Sequence, residues 1–231
     1  MPPLCFAFME DWRVALQNAG VNPEWLHEET VQIGGHCLRL WTVRSVDDLL
    51  SALPPESEIP YWAILWDSAL WLGRWLWANP HRVWGKRVLE LGCGVGLVGI
   101  VAQMVGAARV VQNDNHPPAL VLSAQNARQN GMTPPEPLLM DWRTWTHSEQ
   151  YDLVLGADVV YDRDLHTPLM RVLERALAPE GEAILVDPGR DSGWLFAERL
   201  LQAGWQVELS LAPLGESPHR EALVMEIRNA P

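Results

Sequence analysis

Residues Val88 to Gly99 read Val-Leu-Glu-Leu-Gly-Cys-Gly-Val-Gly-Leu-Val-Gly, an apolar run that ends in a carboxylate and breaks into a glycine turn before a second apolar stretch. Glycine has no Cβ, so Gly92, Gly94 and Gly96 let the backbone bend sharply and approach a ligand closely. Glu90 falls where the carboxyl end of a strand opens into the crevice of a doubly wound sheet. The segment reads as strand, turn and helix around a nucleotide-type cofactor.

The rest of the chain extends that pattern. Apolar strands are expected at Val88 to Leu91, Val110 to Asp114, Pro137 to Met140, Leu153 to Gly156 and Ala183 to Val186. Helical periodicity lies between them, at Val95 to Val105, Pro117 to Asn130 and Leu165 to Leu177, and follows again at Leu195 to Ala203. Repeated strand-helix units imply right-handed crossovers and a mostly parallel sheet with helices on both faces. Two more strands, Val207 to Leu211 and Leu223 to Ile227, have only a loop between them, so the last must run antiparallel. The expected fold is α/β, a doubly wound Rossmann-like seven-stranded sheet with its last strand antiparallel.

Ahead of this domain, taken as residues 61–231, residues 1–60 read as a small N-terminal cap. It comprises an amphipathic helix from Asp11 to Ala19 and a β-hairpin, with Val31, Ile33, Leu38, Leu40 and Val43 alternating around Gly34-Gly35. Pro54, Pro55 and Pro60 mark a linker. Trp66, Leu70, Trp71, Trp75 and Leu76 then recur at helical spacing up to Asn79-Pro80.

With 231 residues and 48% apolar content, the chain suits one well-buried core. A net charge of -12 disfavours a nucleic-acid partner, because phosphate binding draws on clustered Lys and Arg. Cys5, Cys37 and Cys93 are odd in number and widely spaced, which fits a reducing cytoplasm better than a disulfide framework or a zinc site. The seven His residues show no metal-binding spacing. The first residues lack a signal-peptide pattern and no apolar run is long enough to cross a bilayer. These features lead us to expect a cytoplasmic protein without a membrane or metal, a monomer or weak oligomer. Most of its thirteen Trp residues are expected in packing roles.

Two cofactors compete for the glycine turn. Gly94-Val-Gly96-Leu-Val-Gly99 satisfies the dinucleotide pattern Gly-x-Gly-x-x-Gly, with Asp114 about twenty residues further on. Glu90, however, would repel a pyrophosphate, whereas the amino acid end and sulfonium of S-adenosylmethionine are positive. Asp114 ends the next strand, where a carboxylate can accept from both ribose hydroxyls of either cofactor. Asp141-Trp142 ends the third, offering an acceptor for an adenine amine and an indole to flank the ring, or else simply a turn beside a packing Trp.

Taken together, Leu65-Trp66, the Glu90 to Gly99 segment, Asp114, Asp141-Trp142 and Leu155-Gly-Ala-Asp-Val-Val-Tyr161 resemble the seven-strand protein-lysine methyltransferases that carry an Asp-x-x-Tyr motif. The match runs from about Pro60 to Arg190. Pro60-Tyr-Trp-Ala63, Asn113-Asp-Asn-His-Pro117 and Asp187-Pro-Gly-Arg190 are similar to the branch acting on the beta subunit of electron transfer flavoprotein. The chain departs from that branch at Asp67-Ser68-Ala69, where the branch has Pro-Gly-Gly. Its Asp158-Val-Val-Tyr161 also resembles the chaperone-methylating branch.

The resemblance implies that Trp66, Glu90, Gly92, Cys93, Gly94, Asp114, Asn115, Asp141, Trp142 and Ala157 surround S-adenosylmethionine. It also implies that Asp158 and Tyr161 face the lysine amine of a protein substrate. Methyl transfer is then an in-line displacement driven mainly by positioning. Asp158 would orient the amine, although its charge favours ammonium while burial disfavours it. Cys93 is expected to serve as a small turn residue, and Asp187-Pro-Gly-Arg190 as a turn or as the border of the substrate entrance. Rival readings are a small-molecule amine N-methyltransferase on the same fold, a nicotinamide-dependent oxidoreductase, and a cofactor-binding protein without catalysis.

Overall fold

The computed structural model describes residues 12–18, 21–44, 47, 59–215 and 220–229. The expected linker prolines Pro54 and Pro55, Cys5 and the two ends of the expected first helix lie outside them. That helix is described as α1 (Trp12–Asn18), followed by the hairpin β1 (Leu26–Ile33) and β2 (His36–Val43). Helix α2 (Asp67–Ala78) leads into β3 (Arg87–Leu91), α3 (Leu97–Met104), β4 (Arg109–Asp114), α4 (Pro117–Gln129) and β5 (Glu136–Leu139). Then come β6 (Tyr151–Ala157), α5 (His166–Ala176), β7 (Leu177–Asp187), α6 (Asp191–Gln202), β8 (Gln206–Pro213) and β9 (Glu221–Arg228).

The seven-stranded sheet has the order β5-β4-β3-β6-β7-β9-β8. Strands β3 to β7 pair in parallel, while β9 is antiparallel to both β7 and β8. The strand order reverses between β3 and β6, whose ends are paired as Leu91 with Gly156. A crevice opens at such a reversal, beyond the carboxyl ends of the strands.

Side chains alternate across a strand with a period of two, so each buried strand feeds both faces of the sheet. Val88, Val110, Leu153, Leu155 and Ile184 meet Leu72 and Leu76 of α2 and Leu97, Ile100 and Val101 of α3 on one face. Leu89, Val111, Val154, Ala183 and Leu185 meet Leu169 and Leu173 of α5 and Phe196 and Leu200 of α6 on the other. Fully burying one such side chain contributes roughly 1.5 to 3 kcal/mol, so these layers fix the strand ends rigidly. Of the tryptophans, Trp145 and Trp205 are buried, whereas Trp84 is 74% exposed.

The hairpin shares this core, since Val31, Ile33, Leu38 and Leu40 join the α2 and α3 side. Its tight turn needs glycine: Gly34 has φ +57°, and a Cβ there would collide with the Trp77 ring. Buried Asn126 of α4 fastens the hairpin to the glycine turn. It accepts from Trp41 N at 2.7 Å and donates to Trp41 O at 3.1 Å and Val95 O at 2.8 Å. Thr42 Oγ1 donates to Ala63 O at 2.9 Å and accepts from Leu65 N at 3.0 Å, tying β2 to the segment that enters α2. None of the described helices is long and apolar enough to cross a membrane.

Candidate active site

Strand β3 ends in the turn that delivers α3, and Gly92 and Gly94 hold φ of +59° and +50° there. A Cβ on Gly94 would lie 2.9 Å from the carbonyl oxygen of Trp62, so only glycine lets the segment 61–63 cover the turn. A Cβ on Gly92 would sit 3.1 Å from Val159 and 3.7 Å from the Trp142 indole, filling the hollow between them. Between the two glycines, Cys93 is buried, and its backbone N–H donates to Asn113 O at 2.9 Å. Burial, reinforced by the Asp114 and Glu90 carboxylates, pushes its thiol well above the usual range, so Cys93 stays a thiol.

Asp114, at the tip of β4, braces this turn from the side: its Oδ2 accepts from Gly94 N at 3.1 Å and its Oδ1 from His116 N at 2.9 Å. Asp114 is 5% exposed, and burial raises its titration despite the backbone donors. Glu90 lies beneath the turn. Its Oε2 accepts from Gly99 N of α3 at 2.9 Å and from Gln112 Nε2 at 2.6 Å. Burial pushes this carboxyl up to about 8, so Glu90 is held mainly as the neutral acid at neutral pH.

The third wall comes from the end of β5. Trp142 Nε1 donates to Asn113 Oδ1 at 2.7 Å, while Asn113 Nδ2 donates to Leu138 O at 3.0 Å and Met140 O at 2.9 Å. Asp141 turns toward its own loop, where Oδ1 accepts from Arg143 N at 2.8 Å. Asn115 is exposed beyond Asp114. Across the turn, Trp66 precedes α2 with its indole N–H donating to Tyr61 O at 3.2 Å.

Asp158 follows β6 directly after Ala157, in a left-handed conformation with φ +59°, which is strained for a residue with a Cβ. Its backbone N–H donates to Val186 O at 2.9 Å, which fixes the carboxylate's direction. Oδ2 accepts from Ser68 Oγ at 2.7 Å, and Oδ1 pairs with Arg190 Nη1. Arg190 also reaches Asp187 Oδ2 at 3.0 Å, and Asp187 is fully buried. Three residues on, Tyr161 stands at the rim, 60% exposed. Behind the loop, His166 Nε2 meets Val160 O at 3.0 Å, and burial lowers its titration, which keeps it neutral.

These positions bring Gly92, Gly94, Asp114, Trp142 and Asp158 around one crevice at the strand tips. Asp141, Asn115 and Tyr161 stand further out. Ser68 is noted from sequence only within a departure from the flavoprotein branch, and Arg190 only within the Asp187-Pro-Gly-Arg190 turn or entrance, although both contact Asp158. No local signal ties either to Asp158, since Ser68 lies 90 residues before it and Arg190 lies 32 after it. The hollow at Gly92 and the acidic lining fit a cofactor with a flat ring and positive charge. Glu90, expected from sequence to repel a pyrophosphate, instead lies under α3 mainly as the neutral acid, which leaves Asp114 and Asp158 as the acidic residues at the strand tips.

Strand order, glycine turn and acidic strand tips together define a doubly wound methyltransferase-type fold. Magnesium protoporphyrin IX methyltransferase from Synechocystis PCC 6803, solved with S-adenosylmethionine bound, has a similar fold at TM-score 0.56 and 18% identity, over 70% of this chain and 78% of that one. Ribosomal protein L11 methylase from Lactobacillus delbrueckii subsp. bulgaricus is similar at TM-score 0.55 and 18% identity, over 71% and 79%.

Residues 59–192 match the family model described as lysine methyltransferase, and the chain belongs to that family. It is 39% identical over 151 residues to the electron transfer flavoprotein beta subunit lysine methyltransferase of Rattus norvegicus, covering 64% of this chain and 58% of that protein. It is 30% identical over 125 residues to EEF1A lysine methyltransferase 3 of Xenopus tropicalis, covering 53% and 56%. The chain thus spans little more than half the length of these curated relatives.

Proposed function

We propose that the chain transfers a methyl group from S-adenosylmethionine to the side-chain amine of a lysine on a protein. The observation that carries this reading is Asp158, an almost buried carboxylate directly after β6, held in a left-handed backbone conformation and anchored by Ser68 and Arg190. When bound, the cofactor supplies a methyl group on a sulfonium, whose carbon–sulfur bond breaks, its electron pair staying on sulfur, as the nitrogen–carbon bond forms.

The remaining work falls to the chain. Asp114 would hold the ribose hydroxyls, and Gly92 and Trp142 would flank the adenine ring, with Asp141 and Asn115 further out. Cys93, Gly94, Ala157 and Trp66 would shape the amino acid end and the entrance, with Glu90 beneath them bracing the turn through Gly99 N and Gln112. Asp158 would accept a hydrogen bond from the neutral lysine amine and so turn the nitrogen lone pair toward the methyl carbon, while Tyr161 would wall the approach. The lysine proton leaves to solvent before transfer, because only the neutral amine has a free lone pair. Orientation of this kind is worth about 7 to 11 kcal/mol of barrier without a covalent intermediate. The unpaired Cys37 and Cys93 support a cytoplasmic site of action.

Calorimetry with S-adenosylhomocysteine and with NADH tests the cofactor: binding of the first alone supports the proposal, and binding of NADH alone refutes it. Radiolabelled methyl transfer into a cell extract tests the acceptor class, with label in protein expected for the wild type and lost in Asp158→Asn. The relatives' names make the beta subunit of electron transfer flavoprotein the first purified acceptor to try.

A further inference from the structure

A carboxylate that receives a lysine creates a problem for methyl transfer. It attracts the ammonium form electrostatically, yet the reaction requires the neutral amine. The surroundings of Asp158 contain the compensating charge. Arg190 Nη1 contacts Asp158 Oδ1 and also Asp187 Oδ2 at 3.0 Å, and the Arg190 backbone N–H donates to Asp187 Oδ1 at 2.7 Å. The side chains of Asp158 and Asp187 are 8% and 0% exposed, so water reaches the two carboxylates poorly, while the Arg190 side chain is 37% exposed.

We propose that Arg190 is a positioning residue for the reaction: its guanidinium balances the Asp158 carboxylate, so that Asp158 can orient an incoming lysine without locking it in the protonated form. This rests on the reading that Asp158 faces the acceptor amine. Asp187 lies behind Arg190, and its bidentate hold on the Arg190 backbone and side chain keeps the guanidinium against Asp158.

The other groups facing this point do not supply the charge. Ser68 of α2 is neutral, and its neighbour Asp67 is paired with Arg220 at 2.7 Å. After β6 come Tyr161 and Asp162, α6 begins with Asp191, Asp114 lies across the crevice, and Arg143, the cation felt by Tyr161 besides Arg190, is paired with Asp141 at 3.4 Å. Among the described residues, Arg190 is the only cation in contact with Asp158. At an effective dielectric constant of about 20, an unscreened unit charge about 6 to 8 Å from an amine moves its titration by roughly 1.5 to 2 pH units; Arg190 is 37% exposed and shares its charge with Asp187, which brings the expected shift down toward about one pH unit.

The test measures tritiated methyl incorporation from S-adenosylmethionine into cell-extract protein between about pH 6.5 and about pH 9.5, a range that captures loss of the lysine proton. Wild type, Arg190→Met, Arg190→Lys and Ser68→Ala are compared, with S-adenosylhomocysteine binding by calorimetry as an independent readout of an intact site. Arg190→Met is expected to bind within about twofold of wild type and to move the rising limb of the profile alkaline by about one pH unit or more. Arg190→Lys keeps the limb near its wild-type position. Ser68→Ala, which removes an orienting bond but no charge, lowers incorporation at every pH without moving the limb. Should Arg190→Met fail to bind S-adenosylhomocysteine, Arg190→Gln takes its place in the same measurement. A limb that stays put when the charge is removed, with binding intact, overturns the proposal. Absence of protein label with the wild type at every pH overturns the reading of Asp158 itself, and the proposal falls with it.

Discussion

The indole of Trp142 donates a 2.7 Å hydrogen bond to Asn113, and the same Asn113 amide holds the carbonyls of Leu138 and Met140. One fully buried side chain thereby fixes both the end of β5 and the aromatic wall beside Gly92. Asn113→Ala leaves two carbonyls and an indole N–H without their partner, each worth about 1 to 3 kcal/mol when buried. We expect a loss of stability of about 2 to 4 kcal/mol in denaturant melts. S-adenosylhomocysteine affinity should fall about tenfold in calorimetry, equivalent to about 1.4 kcal/mol.

Gly94→Ala should be more damaging at the crevice than Gly92→Ala. Both residues have positive φ, costing about 1 to 2 kcal/mol for any side chain. At Gly94 the new methyl also meets the backbone carbonyl of Trp62, whereas at Gly92 it meets side chains that can yield. Calorimetry should show at least a tenfold larger loss of S-adenosylhomocysteine affinity for Gly94→Ala, a difference of about 1.4 kcal/mol.

Glu90 sets a slope of stability with pH. Its folded carboxyl titrates near 8 against 4.5 for the unconstrained group, so between these values the folded chain holds a proton that the unfolded chain has lost. Stability should therefore fall as pH rises from about 4.5 to about 8, by an amount on the order of a few kcal/mol. Glu90→Gln keeps a neutral group of the same shape and should flatten that slope in melting curves recorded across the range.

Glu182 acts in the opposite sense at the far end of the sheet, where it pairs in register with Arg228. Burial alone would raise its carboxyl, but hydrogen bonds from Arg82, Lys86 and Arg228 bring it down to about 2. Its contribution is fully present above about 4.5 and is lost as pH falls toward about 2. Glu182→Gln should cost about 1 to 3 kcal/mol at pH 7, with most of that cost gone by about pH 2, measured by chemical denaturation.

The sheet was legible because its signals are local. Val88 to Leu91, Val110 to Asp114 and Leu153 to Gly156 are short apolar runs bounded by turn residues. The lack of a helix between the last two strands dictated the antiparallel β9. The crevice was legible only where a residue's chemistry matches its place at a strand tip, as for Asp114 and Asp158. Glu90 reads from sequence as an open crevice acid, yet its Oε2 points under α3, because Gly99 in the first turn of α3 leaves room for a carboxylate. Ser68 and Arg190 carry no motif that names Asp158. Only the docking of α2 and the turn after β7 onto the same strand ends reveals them.

Mass spectrometry of extract proteins incubated with trideuteromethyl-labelled S-adenosylmethionine, comparing wild type with Asp158→Asn, addresses the central claim most directly. Asparagine tolerates the left-handed backbone of position 158, so the variant should still bind S-adenosylhomocysteine. The account predicts labelled methyl groups on lysine side chains with the wild type and none above background with Asp158→Asn. Label confined to other residues or to small molecules, or equal lysine labelling by both proteins, would contradict it.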